Sequence, residues 1–383
     1  MNILILTGRF GLGHYSAANT LSQQLKSRYP QVQVTVWDIF EFISPSHYRD
    51  FYEGYTKLVS KASGLYNWYY QAGEKKKKNR KPPMMLYLFR VLEQMLEQTH
   101  PDVIFSTLPL CSQLVNWYQE IHYLPVPLVT CITDITVHNE WINDNTAYYL
   151  VGSETLKQQL QEKGVEGRRI YPSGIPVRQA FKEAHPHWGS DKRQLLIMGG
   201  GLGLIPDDPR FFEQLNRMRD VHTTVIAGNN QKLYQKLHGK YENIQVVGFT
   251  EQVHEYMQKA DVLLSKPGGI TMFEAIYSEL PMLVIHPFLQ QEKKNARFLE
   301  QQNLGKVIWD SQEQVIGQIE EFLHDYESLS LIRQSMADFR SGLQDNALEC
   351  IMERIGAQTD RFFWPGMAGD AQDGFFRKGV ALL

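Results

Sequence analysis

Two short apolar runs, each ending in glycine, decide the fold that this sequence encodes. Residues 3–8 read ILILTG and residues 195–200 read LLIMGG, so apolar side chains lead into glycine at both places. Short unbroken apolar runs between amphipathic segments are typical of parallel strands that helices cover on both faces. Each run therefore predicts the first strand of a doubly wound unit, although the similarity between them is too weak to be a sequence repeat.

The same alternation of apolar runs and amphipathic segments continues after each of these starts. Further strands are expected at 32–37, 102–106, 127–133, 223–227, 244–247, 261–264 and 282–285. The predicted fold class is therefore α/β, with two Rossmann-like doubly wound domains that face each other across a cleft. The domains are assigned to residues 1–180 and 194–345, followed by a C-terminal helix or tail at 346–383.

Composition and charge exclude several classes of protein. The chain has 383 residues, of which 43% are hydrophobic and 21% charged, and lacks any 18-residue uncharged apolar run, so we expect a globular protein without a membrane span. A formal net charge of −3 argues against a nucleic-acid partner. Three scattered cysteines do not suggest a disulfide framework. Because no cationic segment precedes the first apolar run, a cytoplasmic location is predicted.

A glycine-containing loop, KPGGIT at residues 266–271, lies between a predicted strand and a predicted helix. Glycines there let an anion approach backbone N–H groups at a helix N-terminus, where the helix dipole also favours negative charge. Polar side chains that suit a hydroxyl-rich ligand follow at Glu274, Gln291, Glu292 and Asn295. A plain glycine turn followed by solvated helix starts is the alternative interpretation.

His14 is the candidate general base. It opens the first helix, directly after the loop at 8–13, and an unperturbed imidazole pKa near ~6.5 permits proton transfer at neutral pH. Asp134 closes another strand at the same edge of the sheet, where it can orient or assist this base. A structural histidine and an Asx turn or helix cap are the alternatives.

A basic segment, KKKKNRK at residues 75–81, precedes an apolar helix predicted over 84–96. Cations beside an apolar surface are attracted to an anionic membrane. Each Lys or Arg near the surface contributes about 1 kcal/mol to the binding free energy. A core helix beside a solvated basic loop is the alternative. The predicted membrane-binding residues are Lys75, Lys76, Lys77, Lys78, Arg80 and Lys81.

Taken together, these motifs resemble the family 28 lipid glycosyltransferases. This family contains diacylglycerol glucosyltransferases, monogalactosyldiacylglycerol synthases and, more distantly, the peptidoglycan N-acetylglucosaminyl transferase. The resemblance extends over about residues 1–345, and Arg9 and Phe10 depart from it because smaller residues are usual there. Five ordered motifs carry it, at 11–14, 131–134 with His138 and Trp141, 174–178, 266–271 with Glu274, and 291–295.

The resemblance implies a GT-B fold, with a lipid acceptor on the N-terminal domain and a UDP-sugar on the C-terminal domain. It implies an inverting hexosyltransferase, without a metal ion or another cofactor, that moves a sugar, expected to be glucose, to diacylglycerol or a related lipid at the inner face of the cell membrane. The implied catalytic residues are His14 and Asp134. The implied donor-binding residues are Phe249, Thr250, Gly268, Gly269, Ile270, Thr271, Glu274, Gln291, Glu292 and Asn295, and the implied acceptor-side residues are Gly11, Gly13, His138 and Trp141.

Two other functions are compatible with the same fold. A UDP-sugar epimerase converts a nucleotide sugar alone and needs no lipid surface, so the basic and apolar stretch at 75–96 argues against it. A non-catalytic UDP-sugar sensor would use the nucleotide site without a catalytic base.

Overall fold

The computed structural model describes residues 1–10, 13–61, 84–183, 192–200, 205, 208–287, 289–309 and 315–361. Within these ranges the chain forms two six-stranded sheets in which every paired strand is parallel. Helices separate successive strands in both halves. The predicted α/β class with two doubly wound units is therefore confirmed.

The first domain is built on a sheet with the strand order β2-β1-β3-β4-β5-β6. Its strands are β1 (Asn2–Thr7), β2 (Gln33–Asp38), β3 (Val103–Ser106), β4 (Leu128–Cys131), β5 (Thr146–Val151) and β6 (Ile170–Pro172). Its helices are α1 (Gly13–Arg28), α2 (Ile39–Ile43), α3 (Tyr48–Lys61), α4 (Met85–Thr99), α5 (Pro109–Ile121), α6 (Glu154–Glu162) and α7 (Gln179–Lys182).

The second domain is built on a sheet with the strand order β12-β11-β10-β7-β8-β9. Its strands are β7 (Arg193–Met198), β8 (Val221–Ile226), β9 (Ile244–Val247), β10 (Val262–Ser265), β11 (Met282–Ile285) and β12 (Gly305–Ile308). The helices that follow are α8 (Pro209–Arg217), α9 (Gln231–Leu237), α10 (Val253–Lys259), α11 (Gly269–Tyr277), α12 (Gln290–Gln301), α13 (Val315–His324), α14 (Tyr326–Ser341) and α15 (Ala347–Arg361).

The apolar runs at the start of each half become central strands because helices cover both sheet faces. Leu4, Ile5 and Leu6 in β1 are fully buried, as is Ile197 in β7. A strand buried on both faces has no polar side to alternate with, so its sequence reads as a continuous apolar run. The first quoted run therefore lies between the clusters on the two faces of its sheet, and the second lies within the large cluster of its own domain.

Each sheet reverses its strand order next to its first strand. In the first sheet β1 pairs with both β2 and β3, and in the second sheet β7 pairs with both β8 and β10. Such a switch point opens a crevice outside the carboxyl ends of the two central strands, where ligands of these folds bind. His14 follows β1 and the loop at 266–268 follows β10, so both sequence motifs lie at switch points.

Helix α15 returns from the second domain to the core of the first. Its residues Leu348, Ile351 and Ile355 are buried in one cluster with Ile3 and Ile5 of β1. An ion pair of 2.9 Å between Arg28 Nη1 of α1 and Glu349 Oε2 closes the outer side of this contact. The helical part of the segment predicted at 346–383 therefore ties the two domains together, and residues 362–383 lie outside the described residues.

Helix α4 belongs largely to the core of the first domain. Its buried side chains include Phe89, Leu92 and Met95, as expected for a core helix. The first turn instead leaves Leu86 and Tyr87 exposed. The basic residues predicted to bind membranes, at 75–81, lie outside the described residues. Among the helices that the structure describes, none is long and apolar enough to cross a membrane.

The two domains meet most closely where helix α11 begins. A Cβ atom added to Gly269 would lie 2.3 Å from the carbonyl oxygen of Thr133, which follows β4 of the other domain. This distance is shorter than real Cβ contacts allow, and the atom it meets belongs to the backbone. Only glycine therefore fits at position 269 when the cleft is closed.

We expect Gly269→Ala to destabilise the protein by about 1–3 kcal/mol, because the added methyl group forces α11 away from Thr133. Gly268→Ala is the matched control, since a Cβ there meets nothing nearer than Thr271 Oγ1 at 3.8 Å. Helix propensity alone predicts the opposite order, because alanine is favoured inside a helix and disfavoured at its N-cap. Urea unfolding of both variants gives the order, and a Gly269→Ala variant at least as stable as Gly268→Ala would contradict the steric contact.

Candidate functional site

One cavity of about 380 Å³ lies in the cleft between the two domains. This volume falls within the range of small-molecule sites. Side chains from both domains line it, so its shape depends on how the domains meet. The predicted site residues that it brings together are Gly13, His14, Asp134, Phe249, Thr250, Gly268, Gly269, Ile270, Thr271, Glu274, Gln291, Glu292 and Asn295.

His14 is held by the strands on either side of the first switch point. Its Nδ1 lies 2.8 Å from the carbonyl oxygen of Thr107, which follows β3, and 2.7 Å from Thr133 Oγ1, which follows β4. A carbonyl oxygen can only accept a hydrogen bond, so Nδ1 carries the proton in the neutral ring. Nε2 is then the nitrogen with the free lone pair, which a proton acceptor needs.

The protonation of His14 suits a base at neutral pH. Burial lowers the pKa of its imidazole, and this effect outweighs the carboxylate of Asp134 and the Thr107 carbonyl, which both raise the pKa. A histidine with a lowered pKa stays neutral to more acidic pH than usual. His14 is therefore ready to accept a proton at pH 7.

Asp134 connects the two walls of the cavity. Its Oδ2 accepts a hydrogen bond of 2.7 Å from Trp141 Nε1, and its Oδ1 accepts one from Gln291 Nε2 of the second domain. Both carboxylate oxygens therefore have partners, and Asp134 acts on His14 through its charge. The sequence had suggested that Asp134 orients His14. In the structure, the contacts that orient His14 come from Thr107 and Thr133.

The opposite wall of the cavity is the N-terminus of α11. Gly268 caps this helix without a side chain, so the first backbone N–H groups are open to a ligand. A helix N-terminus of this kind attracts anions through its N–H groups and its dipole. This end of the cavity is therefore suited to an anion, and we call it the anion-binding end.

Two side chains from α12 hold the loop before α11 in position. Asn295 Nδ2 donates a hydrogen bond of 2.8 Å to the carbonyl oxygen of Pro267. Glu292 Oε1 lies 3.2 Å from Lys266 Nζ, and Glu292 Oε2 accepts from the backbone N–H of Leu289 at 3.3 Å. Asn295 and Glu292 thus support the shape of the anion-binding loop as well as lining the cavity.

Glu274 has the most perturbed carboxyl group in the cavity. Burial raises its pKa to about 7, and the positive charge of Arg178 offsets part of this effect. Arg178 Nη1 also donates a hydrogen bond of 2.5 Å to the carbonyl oxygen of Glu251, beside the loop that carries Phe249 and Thr250. A carboxyl group that titrates near neutral pH in a ligand cavity is a feature of functional sites.

The remaining predicted residues lie outside the cavity lining. Trp141 is fully buried; its indole donates the hydrogen bond to Asp134 described above, and its ring lies 6.1 Å from that of His14 between centroids. His138 is also buried and begins the short 3₁₀ turn Asn139–Trp141, where its Nδ1 accepts from Glu140 N at 3.4 Å. Gly11 lies outside the described residues. Across the part of the chain that the structure describes, no group of three or more metal-ligating side chains occurs.

Sequence reasoning missed several residues that shape this site. Thr107 and Thr133 follow neighbouring strands of the first sheet, and this shared position is the signal that could have found them. Phe10 and Gly199 also line the cavity, each just after the first strand of its domain. Arg178 stood in a quoted motif but had no role assigned to it.

Comparison with protein families separates the functions that this geometry allows. The N-terminal part, residues 14–177, matches the family model of monogalactosyldiacylglycerol synthase, and residues 204–347 match that of the glycosyltransferase family 28 C-terminal domain. A processive diacylglycerol beta-glucosyltransferase of Bacillus subtilis is 27% identical, with 94% of this chain and 95% of that protein covered. The protein of the same name from Bacillus pumilus is 28% identical over the same shares.

Solved structures share the fold at lower identity. Acinetobacter baumannii MurG has a TM-score of 0.58 and 15% identity, with 93% of this chain and 99% of that chain covered. UDP-GlcNAc 2-epimerase from Neisseria meningitidis has a TM-score of 0.54 and 13% identity, with 94% of this chain and 100% of that chain covered. These likenesses show the GT-B fold, which transferases and epimerases share.

The epimerase alternative is not favoured, because both family models and the relatives named above are glycosyltransferases. The motifs quoted from the sequence lie within the two matched ranges or directly before them. The chain therefore belongs to the family 28 lipid glycosyltransferases and is a UDP-sugar-dependent enzyme.

Proposed function

We propose that this enzyme transfers a glucosyl group from UDP-glucose to the free hydroxyl of diacylglycerol, with inversion at the anomeric carbon. The observation that carries this proposal is the cavity itself, which His14 of one domain and the N-terminus of α11 of the other line together. Transfer needs both a proton acceptor and a site for a departing diphosphate. A cavity with these two ends supports a transfer reaction better than it supports a function in binding alone.

The acceptor hydroxyl loses its proton to His14 Nε2 as its oxygen bonds to the anomeric carbon. Thr107 and Thr133 keep the imidazole in the tautomer that leaves Nε2 free. The developing imidazolium is stabilised by the charge of Asp134, which raises the pKa of His14. His14 is thus the catalytic base, and Asp134 is the second residue of the catalytic pair, which assists this base through its charge.

The bond between the anomeric carbon and the diphosphate breaks in the same step, and UDP leaves with the negative charge. Backbone N–H groups at Gly269 and Ile270 and the hydroxyl of Thr271 can donate hydrogen bonds to this charge. Donors fixed in place before the reaction stabilise the transition state without reorganisation. This chemistry is proposed to require no metal ion and no cofactor.

The remaining donor contacts follow from the cavity lining. Phe249 and Thr250 are assigned to the uracil end and Glu274 to the ribose hydroxyls. Gln291 and Glu292 are assigned to the sugar hydroxyls, since they lie beside Asp134 and Lys266 respectively. Gly13 and Thr133, which line the cavity from the first domain, are assigned to the acceptor side.

The lipid acceptor is supported by the relatives and by the surface of the first domain. The relatives named above are diacylglycerol glucosyltransferases, and the matched N-terminal model is that of a galactolipid synthase. The exposed first turn of α4, with Leu86 and Tyr87, directly follows the basic segment at 75–81. We therefore assign the protein to the cytoplasmic face of an anionic membrane, where it binds peripherally.

The direct test is incubation of the purified protein with UDP-glucose, UDP-galactose or UDP-N-acetylglucosamine and vesicles that contain diacylglycerol. We expect glycolipid from UDP-glucose, formed faster on vesicles with anionic lipid than on neutral ones. His14→Ala should lower the rate by about 10²–10⁴-fold, because it removes the general base. It should leave the affinity for UDP nearly unchanged, and His222→Ala on β8 is the matched control.

Two results would contradict the proposal. If no donor yields glycolipid, the protein is not a lipid glycosyltransferase of this type. If His14→Ala keeps both the rate and UDP binding, the cavity acts without this base, as a UDP-sugar sensor would.

A second prediction concerns the pH dependence of donor binding. Because the pKa of Glu274 is about 7 and an ionised carboxylate accepts hydrogen bonds from ribose, UDP affinity should fall as the pH drops below 7. Protonation of one such group weakens binding by about tenfold between about pH 8 and about pH 6.

Glu274→Gln keeps the shape of the side chain but removes its titration. It should bind UDP more weakly than the wild type at pH 8 and show little change with pH. Isothermal titration calorimetry at several pH values measures the affinity for UDP and its change with pH. The same pH slope in the wild type and in Glu274→Gln would assign the titration to another group.

A further inference from the structure

Phe10 is an aromatic side chain on the His14 side of the cavity that the reaction above does not use. It lies in the loop that follows β1 and lines the cavity together with His14. Its ring packs edge-on against Phe40 at 5.0 Å and against Tyr52 at 5.1 Å between ring centroids. Two edge-to-face contacts of this kind hold a ring firmly in one orientation.

A row of aromatic rings continues from Phe10 to the protein surface. Phe40, in α2, lies 5.9 Å from Phe51 of α3, measured between ring centroids. The side chain of Phe51 is 55% exposed. Phe10, Phe40 and Phe51 thus form a connected series, which we call the aromatic track, from the reaction cavity to solvent.

The charged groups beside the aromatic track have polar partners of their own. Arg9 Nη1 lies 2.8 Å from Glu41 Oε2, and the guanidinium of Arg9 lies over the ring of Tyr15 at 4.5 Å. The buried Asp38 accepts hydrogen bonds from the backbone of α2 and one of 2.6 Å from Tyr52 Oη. The two carboxylates beside the track are thus engaged with Arg9 and with neutral donors.

The aromatic track and the anion-binding end of the cavity come from different domains. The track belongs to the domain of His14, whereas the N-terminus of α11 belongs to the other domain. A ligand that gives its hydroxyl proton to His14 therefore reaches the cavity along the domain that carries the track. An apolar path from that point to the surface suits a hydroxyl compound with hydrocarbon chains.

We propose that the aromatic track binds the first part of the acyl chains of the acceptor lipid, and that Phe10 selects an acyl-bearing acceptor. This inference rests on the lipid transfer proposed above. Phe10 contacts the lipid close to its reacting hydroxyl, and Phe51 contacts the chains where they leave the protein. An acceptor without acyl chains gains nothing from these rings.

The test compares Phe10→Ala, Phe10→Leu and Phe51→Ala with the wild type in steady-state kinetics on diacylglycerol. Loss of one buried aromatic contact should raise the KM for diacylglycerol by about tenfold in Phe10→Ala. Phe10→Leu restores apolar volume and should recover most of this loss. The KM for the UDP-sugar should stay within about twofold in every variant, because the rings belong to the domain of His14 and the predicted donor-binding residues belong to the other domain.

Tyr123→Ala is the matched control, since Tyr123 is exposed outside the aromatic track and its loss should leave the acceptor KM unchanged. Phe51→Ala removes a side chain that is mostly solvent-exposed, so it decides the matter if Phe10→Ala folds poorly. It should raise the KM for long-chain diacylglycerol more than for the dioctanoyl form.

An unchanged acceptor KM in Phe51→Ala and in a folded Phe10→Ala would overturn the inference, while wild-type glycolipid synthesis would leave the proposed function intact. An equal rise in KM for a water-soluble acceptor such as glycerol would also overturn it, because the rings would then not select acyl chains. Absence of glycolipid in the wild type would instead refute the proposed function.

Discussion

The arrangement of the active site depends on the contact between Gly269 and the carbonyl oxygen of Thr133. A backbone atom of one domain lies where a side chain of the other would have to be. Because residue 269 has no side chain, the first turn of α11 reaches the end of β4. The same Thr133 contacts His14 through its hydroxyl, so one residue links the closure of the cleft to the orientation of the proposed base.

Topology explains why this contact brings reactive groups together. Each sheet opens a crevice at its switch point, and the two crevices face one another when the domains close. The crevice of the first sheet contributes His14, which is partly buried and has a lowered pKa, and the crevice of the second sheet contributes a helix N-terminus. The hydrogen bond from Gln291 to Asp134 crosses the same gap, so the polar groups also join the two walls. Helix α15 adds a second tie, through its packing against β1 in the first domain.

Much of this fold was readable from the sequence, and the exceptions have physical reasons. The central strands at 3–7 and 194–198 were predicted because strands buried on both faces consist of apolar residues. Strand β6 at the sheet edge was missed because it has three residues, and β12, at the edge of the other sheet, because its first half is only partly buried. The six residues of β5 were not predicted as a strand either, although nearly all of them are buried.

The candidate site was predicted in part for a similar reason. The glycine loop and His14 stand directly beside strong strand signals, so the sequence pointed to them. The partners of His14 did not stand out, because Thr107 lies 93 residues away and reaches His14 only through the pairing of β1 with β3. Likewise, Arg178 meets the carbonyl of Glu251 across 73 residues. Contacts that depend on strand order leave no local pattern.

The most direct test of the closed, two-walled cavity is a crystal structure of the protein with intact UDP-glucose. The diphosphate should accept hydrogen bonds from the backbone N–H groups at the start of α11, with the anomeric carbon directed toward His14. One acceptor oxygen should fit between that carbon and His14 Nε2, with about 3–3.5 Å between reacting atoms. A diphosphate bound away from α11, or a glucose directed away from His14, would contradict the proposed catalytic arrangement.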